Sequence, residues 1–384
     1  MSVTVSRPSI LRRPIGSGAP LHRPSGALVA LLILAPATAA GQDPSPREID
    51  AIFSKYDAPD SPGCALGVYR DGRLVYENGY GMANLDWGIQ IDPSTVFYVG
   101  SVSKQFTGAS IALLVRGGQL SLGDDIRKYI PELPEYPTPV TVGQLVHHIG
   151  GMRDMYAAML DSGMDVFDPI ESDEAIEVLA AQDLDFTPGD RFSYSNGGYF
   201  LLAQIVERVS GMSFTEFTTR NIFEPLGMDD THFHGDPGHI VERRAMSYAG
   251  VDSGDIKQNY VSTFRFVGQG GLYTTVEDLI KWDQNFYESR VGGPGFTELM
   301  ETAGTLNSGE TIDYAFGLMH SEYRGQRVVG HSGGMMGFRA YLERFPDQHF
   351  SISTLCNASE INPGELARRV VDLYLADVLE PVSP

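Results

Sequence analysis

Basic residues are scarce in this chain. Its 384 residues hold 28 Lys and Arg against 49 Asp and Glu, a formal net charge of −21. A surface that acidic excludes nucleic acid as a partner, because phosphate binding needs patches of Lys and Arg. Cysteine is almost absent: Cys64 and Cys356 are the whole complement. No C-x-x-C spacing occurs, so a zinc ribbon or a thioredoxin-like centre lacks its ligands. The two thiols read either as a pair formed in an oxidising compartment or as separate buried thiols in strands. Also missing is an apolar run of the roughly 20 residues that cross a bilayer. There are no repeats and no low-complexity tract. With 42% hydrophobic residues the remainder is ordinary globular composition, and the length suits one large domain or two intimate subdomains.

The first 40 residues differ from the rest. They contain Arg7, Arg12, Arg13 and Arg23 and no acidic residue. A short apolar stretch, 27–35, leads to Ala37-Thr38-Ala39. A basic start, a short apolar run and a small-x-small site describe a cleavable signal peptide over 1–40. The expectation is an exported chain, periplasmic or secreted, that begins at or near Ala40 and has no transmembrane anchor.

Ser45-Pro46-Arg47-Glu48 forms a capping box ahead of Ile49, Ile52, Phe53 and Tyr56, which predicts a helix with one apolar stripe. Two β-rich runs, 64–70 and 73–80, meet at Asp71-Gly72, a strong hairpin signal. A helix is predicted from Ser101 to Gly117-Gly118. From about 119 to 285 the pattern is mainly helical, with helices at 142–148, 173–181, 198–209 and 276–286 and a loop at 187–197. Strands return at 314–318, 327–330, 338–345 and 350–356, and a helix at 363–379 closes the chain. This is an α+β organisation: one antiparallel sheet built from both ends of the chain, flanked by helices, with a mainly helical lobe inserted.

Gly100-Ser101-Val102-Ser103-Lys104 is the sharpest chemical feature. Residues three apart on a helix share a face, so Ser101 and Lys104 point into one space. A serine hydroxyl needs a base to take its proton, and a partly desolvated Lys can serve. A helix start also aims backbone N–H groups at a developing oxyanion. The second feature is Tyr194-Ser195-Asn196. In an extended stretch Tyr194 and Asn196 project the same way, and cations beside the phenol make its phenolate accessible. The third is His331-Ser332-Gly333-Gly334 after a strand, where a glycine pair lets a ligand lie against backbone.

Together and in this order the three features resemble the serine β-lactamase and penicillin-binding-protein superfamily, whose signature is S-x-x-K, Y-x-N or S-x-N, then K-T-G or H-x-G. The branch with class C β-lactamases, D,D-carboxypeptidases, D-aminopeptidases and related esterases is the one resembled. Residues 144–152, 223–228 and 270–279 also look like that branch. The resemblance implies a β-lactamase/transpeptidase-like catalytic domain over 41–384, with a sheet lobe at about 45–118 and 286–384 and a helical lobe at about 119–285. It implies a serine hydrolase acting through acylation of Ser101, with Lys104 as base or proton relay and Tyr194 as general base and as acid toward the leaving group. Asn196, His331, Ser332 and Gly333 would contact substrate, and the backbone N–H groups of Ser101 and Gly334 would form the oxyanion hole. No metal and no cofactor is implied. Its first and last strands are neighbours, which would bring Cys64 and Cys356 level. His331 stands where lactamases carry a Lys, and no E-x-x-L-N loop occurs. D-Amino-acid peptides or small esters are therefore expected ahead of β-lactams.

Two other readings compete. Gly330 to Gly334 matches the G-x-S-x-G elbow of α/β-hydrolases, with Ser332 as nucleophile, but that motif needs a helix directly after the serine. The same β-lactamase-like fold could also be a non-catalytic acyl-binding sensor or scaffold. His232, His234, Asp236 and His239 are metal-ligand types, yet their Gly- and Pro-rich context reads as a surface loop.

Overall fold

The computed structural model describes residues 43–164, 168–259 and 263–381, so the predicted signal peptide lies outside the described residues. The capping box forms: Ser45 N and Oγ donate to the Glu48 carboxylate at 2.9 and 2.7 Å. Helix α1 (Pro46–Phe53) follows and buries Ile49, Ile52 and Phe53. Strands β1 (Cys64–Arg70) and β2 (Arg73–Tyr80) pair antiparallel. Asp71 and Gly72 between them take φ of 50° and 74°, the left-handed pair that a tight hairpin requires.

Strand β3 (Phe97–Tyr98) leads into α2 (Lys104–Arg116). Helices α3 (Val142–Val146), α4 (Met155–Asp161), α5 (Ser172–Ala180) and α6 (Asn196–Ser210) follow in the middle of the chain. Strands β4 (His232–Phe233) and β5 (Leu272–Thr274) join β3 in a small sheet of order β3-β5-β4, and α7 (Val276–Glu288) follows. Four strands then return: β6 (Met319–Tyr323), β7 (Gln326–Met335), β8 (Phe338–Phe345) and β9 (Phe350–Cys356). Helix α8 (Pro363–Tyr374) ends the fold. The main sheet is antiparallel in the order β6-β7-β8-β9-β1-β2.

The sheet separates two cores. Alternation along β1 sends Cys64, Leu66 and Val68 to one face, where they pack with Ile352 and Cys356 beneath α1 and α8. Ala65 and Tyr69 face the other way, into the larger core of α2, α6 and α7. Cys64 and Cys356 are register partners on β1 and β9 and form a disulfide across a Cα separation of 4.0 Å, so the reading as separate thiols is corrected.

Three expectations change. Residues 314–318 are a turn, not a strand: Ala315 N bonds Leu318 O at 2.8 Å and Gly317 has φ of 73°. All five residues are buried there, and the large apolar Tyr314, Phe316 and Leu318 alternate with the small Ala315 and Gly317, a spacing that imitates a strand. Strand β7 runs on through His331 to Gly334, beyond the expected strand end at residue 330. The last helix stops at Tyr374.

Candidate active site

Helix α2 is preceded by one tight turn, Gly100–Ser103, and Ser101 sits on it, partly exposed. Lys104 opens the helix, and its Nζ lies 3.2 Å from Ser101 Oγ. Ser103 has no part in the chemistry on spacing alone, yet it ties the turn down. Its hydroxyl donates to Gly100 O at 2.5 Å and accepts from Leu272 N at 3.1 Å. Strand β7 lies flush against this turn because two glycines permit it. A Cβ on Gly100, whose φ is 53°, would lie 2.5 Å from Gly334 N. A Cβ on Gly333 would lie 2.0 Å from Val99 O and 2.9 Å from Ser101 N. The backbone N–H groups of Ser101 and Gly334 therefore border one narrow edge.

Lys104 is fully buried. Burial pushes its ammonium down to about 7, against the opposing pull of the Asp154 carboxylate. Its Nζ donates to Asn196 Oδ1 at 2.8 Å and to the carbonyl of Gln269 at 2.6 Å. It also lies 4.8 Å above the ring centre of Tyr194 and 5.6 Å from that of Tyr199. Tyrosine faces attract a cation, but they do not replace the water that burial removes.

Tyr194 and Asn196 come together at Lys104 by another route than an extended pair. Ser195 caps α6, accepting from Gly198 N at 3.2 Å, and Asn196 is the first helical residue. His148, at φ of 56°, accepts from Ser195 N through Nδ1 at 3.1 Å and stacks on Tyr194 at 4.3 Å between ring centres. Burial, with Lys104 and His331 nearby, keeps His148 neutral. The Tyr194 hydroxyl is buried and makes no well-formed hydrogen bond. Burial raises its pKa far above the usual phenol range, and the Ser101 hydroxyl offsets only part of this. A neutral phenol thus replaces the expected phenolate. Asp154 is the residue that motif reading missed: its Oδ2 accepts from Asn196 N at 3.0 Å and from Asn196 Nδ2 at 2.8 Å.

His331 is buried on the same side. Its Nδ1 meets Ser332 O at 2.5 Å and its Nε2 meets the Tyr314 hydroxyl at 3.1 Å. A carbonyl only accepts, so Nδ1 carries the hydrogen and Nε2 accepts from Tyr314. Burial, then Lys104, lower its pKa to about 4. Both ring nitrogens are engaged, so His331 is a wall of the site and not a free donor. Alternation along β7 turns the exposed Ser332 to the opposite face, away from substrate contact at Ser101. A strand follows Ser332, which removes the helix that the elbow reading needs.

His232, His234, Asp236 and His239 line a separate cavity of about 440 Å³. Among the described residues no group of three His, Cys, Asp or Glu is arranged to hold a metal ion.

The β-lactamase family model matches residues 49–376. Penicillin-binding protein 4* of Bacillus subtilis is 30% identical over 305 residues, 75% of this chain and 66% of its own length. A D-aminopeptidase of Gluconobacter oxydans is 28% identical over 301 residues, 77% of this chain and 56% of its own. The chain thus spans between half and two thirds of these relatives. Among solved structures, the octameric penicillin-binding protein homologue from Pyrococcus abyssi superposes with a TM-score of 0.76 at 30% identity, covering 86% of this chain and 77% of that one.

Proposed function

The chain belongs to the β-lactamase family, and from that premise we propose that it is a serine hydrolase acylated on Ser101, acting on D-aminoacyl amides or short esters. The observation that carries this reading is the state of Lys104. A neutral Lys has two N–H donors and one lone pair. Two carbonyl oxygens, of Asn196 and Gln269, take the donors. The lone pair is left for the Ser101 hydroxyl. An amine poised at about 7 is a base already half ready at neutral pH.

In this reading Ser101 Oγ attacks the substrate carbonyl while Lys104 takes its proton. The N–H groups of Ser101 and Gly334 hold the oxyanion. Tyr194, kept protonated by burial, gives its proton to the leaving nitrogen or oxygen, and the proton on Lys104 restores it. Water then attacks the acyl-enzyme and returns Ser101. Tyr194 serves as acid here, and Lys104 takes the part of base.

Similarity to D-aminopeptidases supports an amide of a D-amino acid as substrate. Neutral His331, with both nitrogens engaged, attracts a substrate carboxylate poorly. Esters and aminoacyl amides are therefore expected to turn over ahead of penicillins and cephalosporins. A panel of a p-nitrophenyl ester, a D-alanyl anilide and a chromogenic cephalosporin tests this. Turnover lost in Ser101→Ala supports a hydrolase, whereas stable acylation without turnover would support a sensor. Efficient cephalosporin hydrolysis, ~10⁶ M⁻¹s⁻¹ or above, would defeat the substrate argument.

Export belongs to the same proposal. The Cys64–Cys356 bond suits an oxidising compartment, and no described helix is long and apolar enough to cross a membrane. Mass spectrometry of the exported protein should find its first residue at or near Ala40; an intact Met1 would contradict the leader.

A further inference from the structure

We propose that Asp154 is the positioning residue of this site, fixing which way the Asn196 amide faces and so where Lys104 directs its lone pair. The inference rests on the roles proposed for Ser101 and Lys104.

The Asp154 carboxylate divides its two oxygens between two helices. Oδ1 caps α4, accepting from Tyr156 N at 3.0 Å and Ala157 N at 3.4 Å. Oδ2 takes both donors that Asn196 offers, the backbone N–H and the side-chain amide. A carboxylate can only accept. It therefore draws the NH₂ end of Asn196 to itself and leaves Oδ1 facing Lys104. Reversing the amide would aim its NH₂ at Lys104. That NH₂ would compete with Ser101 for the lone pair, and one N–H of Lys104 would lose its acceptor. The cap on α4 holds Asp154 in place, so a helix start 42 residues upstream orients the amide. The same carboxylate acts on Lys104 through space, favouring its charged form.

Asp154→Ser separates this role from helix capping. Serine caps helices about as well as aspartate, but its one hydroxyl cannot serve both helices. The experiment follows p-nitrophenyl ester turnover by the wild type, Asp154→Ser and Ser101→Ala from about pH 5 to 9, with thermal melts of each. The expected result is a kcat lowered ~10- to 100-fold with KM little changed and a melting temperature near that of the wild type. The midpoint of the acid limb should move to lower pH, because the lost carboxylate no longer favours the ammonium. A role in folding alone would not move that midpoint. If Asp154→Ser melts below the assay temperature, Asp154→Asn replaces it: its amide keeps the size but offers a donor to one of the two helices. Wild-type kcat with an unshifted acid limb in the folded variant would overturn the proposal. Failure of the parent reading looks different: the wild type would then have no turnover that Ser101→Ala removes, and both would fall.

Discussion

A buried lysine is costly to keep charged, and Lys104 is placed where that cost becomes useful. Its proton is lost at about 7, so activity should rise with pH through that value. The expected profile of kcat/KM for a neutral ester has an acid limb with a midpoint near 7; a profile flat from pH 5.5 to 8 would exclude Lys104 as the base. Most residues that meet at this point were legible in the chain. Ser101, Lys104, Tyr194, Asn196 and His331 belong to short patterns of distinctive residue types. The rest had no comparable signal. The Gln269 acceptor is a backbone carbonyl, which every residue has. Asp154 carries a local sign only of helix capping, and its partner is 42 residues away. The raised phenol pKa of Tyr194 comes first from burial, and burial is a property of the fold.

At the scale of elements, the contact between β7 and the turn before α2 assembles the site. Gly333→Ala would force a Cβ to 2.0 Å from Val99 O. Backbone must move to relieve this, parting the N–H groups of Ser101 and Gly334. Losing one oxyanion donor typically lowers kcat by ~10²–10³, and a loss of that order is expected for a Gly333→Ala protein whose circular dichroism stays native. Glycine is hard to interpret in sequence because a turn, a bulge and a close approach all select it. Strand legibility follows burial. Strands β8 and β9 were readable because both are buried along most of their length. The edge strand β6 has only exposed and half-buried positions, so it has no apolar rhythm to detect. The turn at 314–318 has such a rhythm without being a strand.

The whole molecule is joined across its middle by residues 292 apart in sequence. Closing so long a loop restricts the unfolded chain, and removing such a bond typically costs about 2–5 kcal/mol. Cys64→Ser with Cys356→Ser should lower the denaturant midpoint accordingly. It should leave kcat at 25 °C nearly unchanged, since the bond lies on the α1 and α8 face and Ser101 belongs to the other. The α+β plan was legible at this scale because alternation marks the strands at both ends of the chain; the pairing of those ends required the resemblance. That pairing also has a consequence for time. Strand β1 is made early, yet one of its two neighbours is β9, whose Cys356 follows Cys64 by 292 residues. Until Phe350–Cys356 emerges, β1 has an open edge, and Leu66 and Val68 lack Ile352 and Cys356 of their core. The main sheet is therefore completed only once β9 has been made, long after β1. A chain truncated after His349 should be digested by a protease that leaves the complete protein intact.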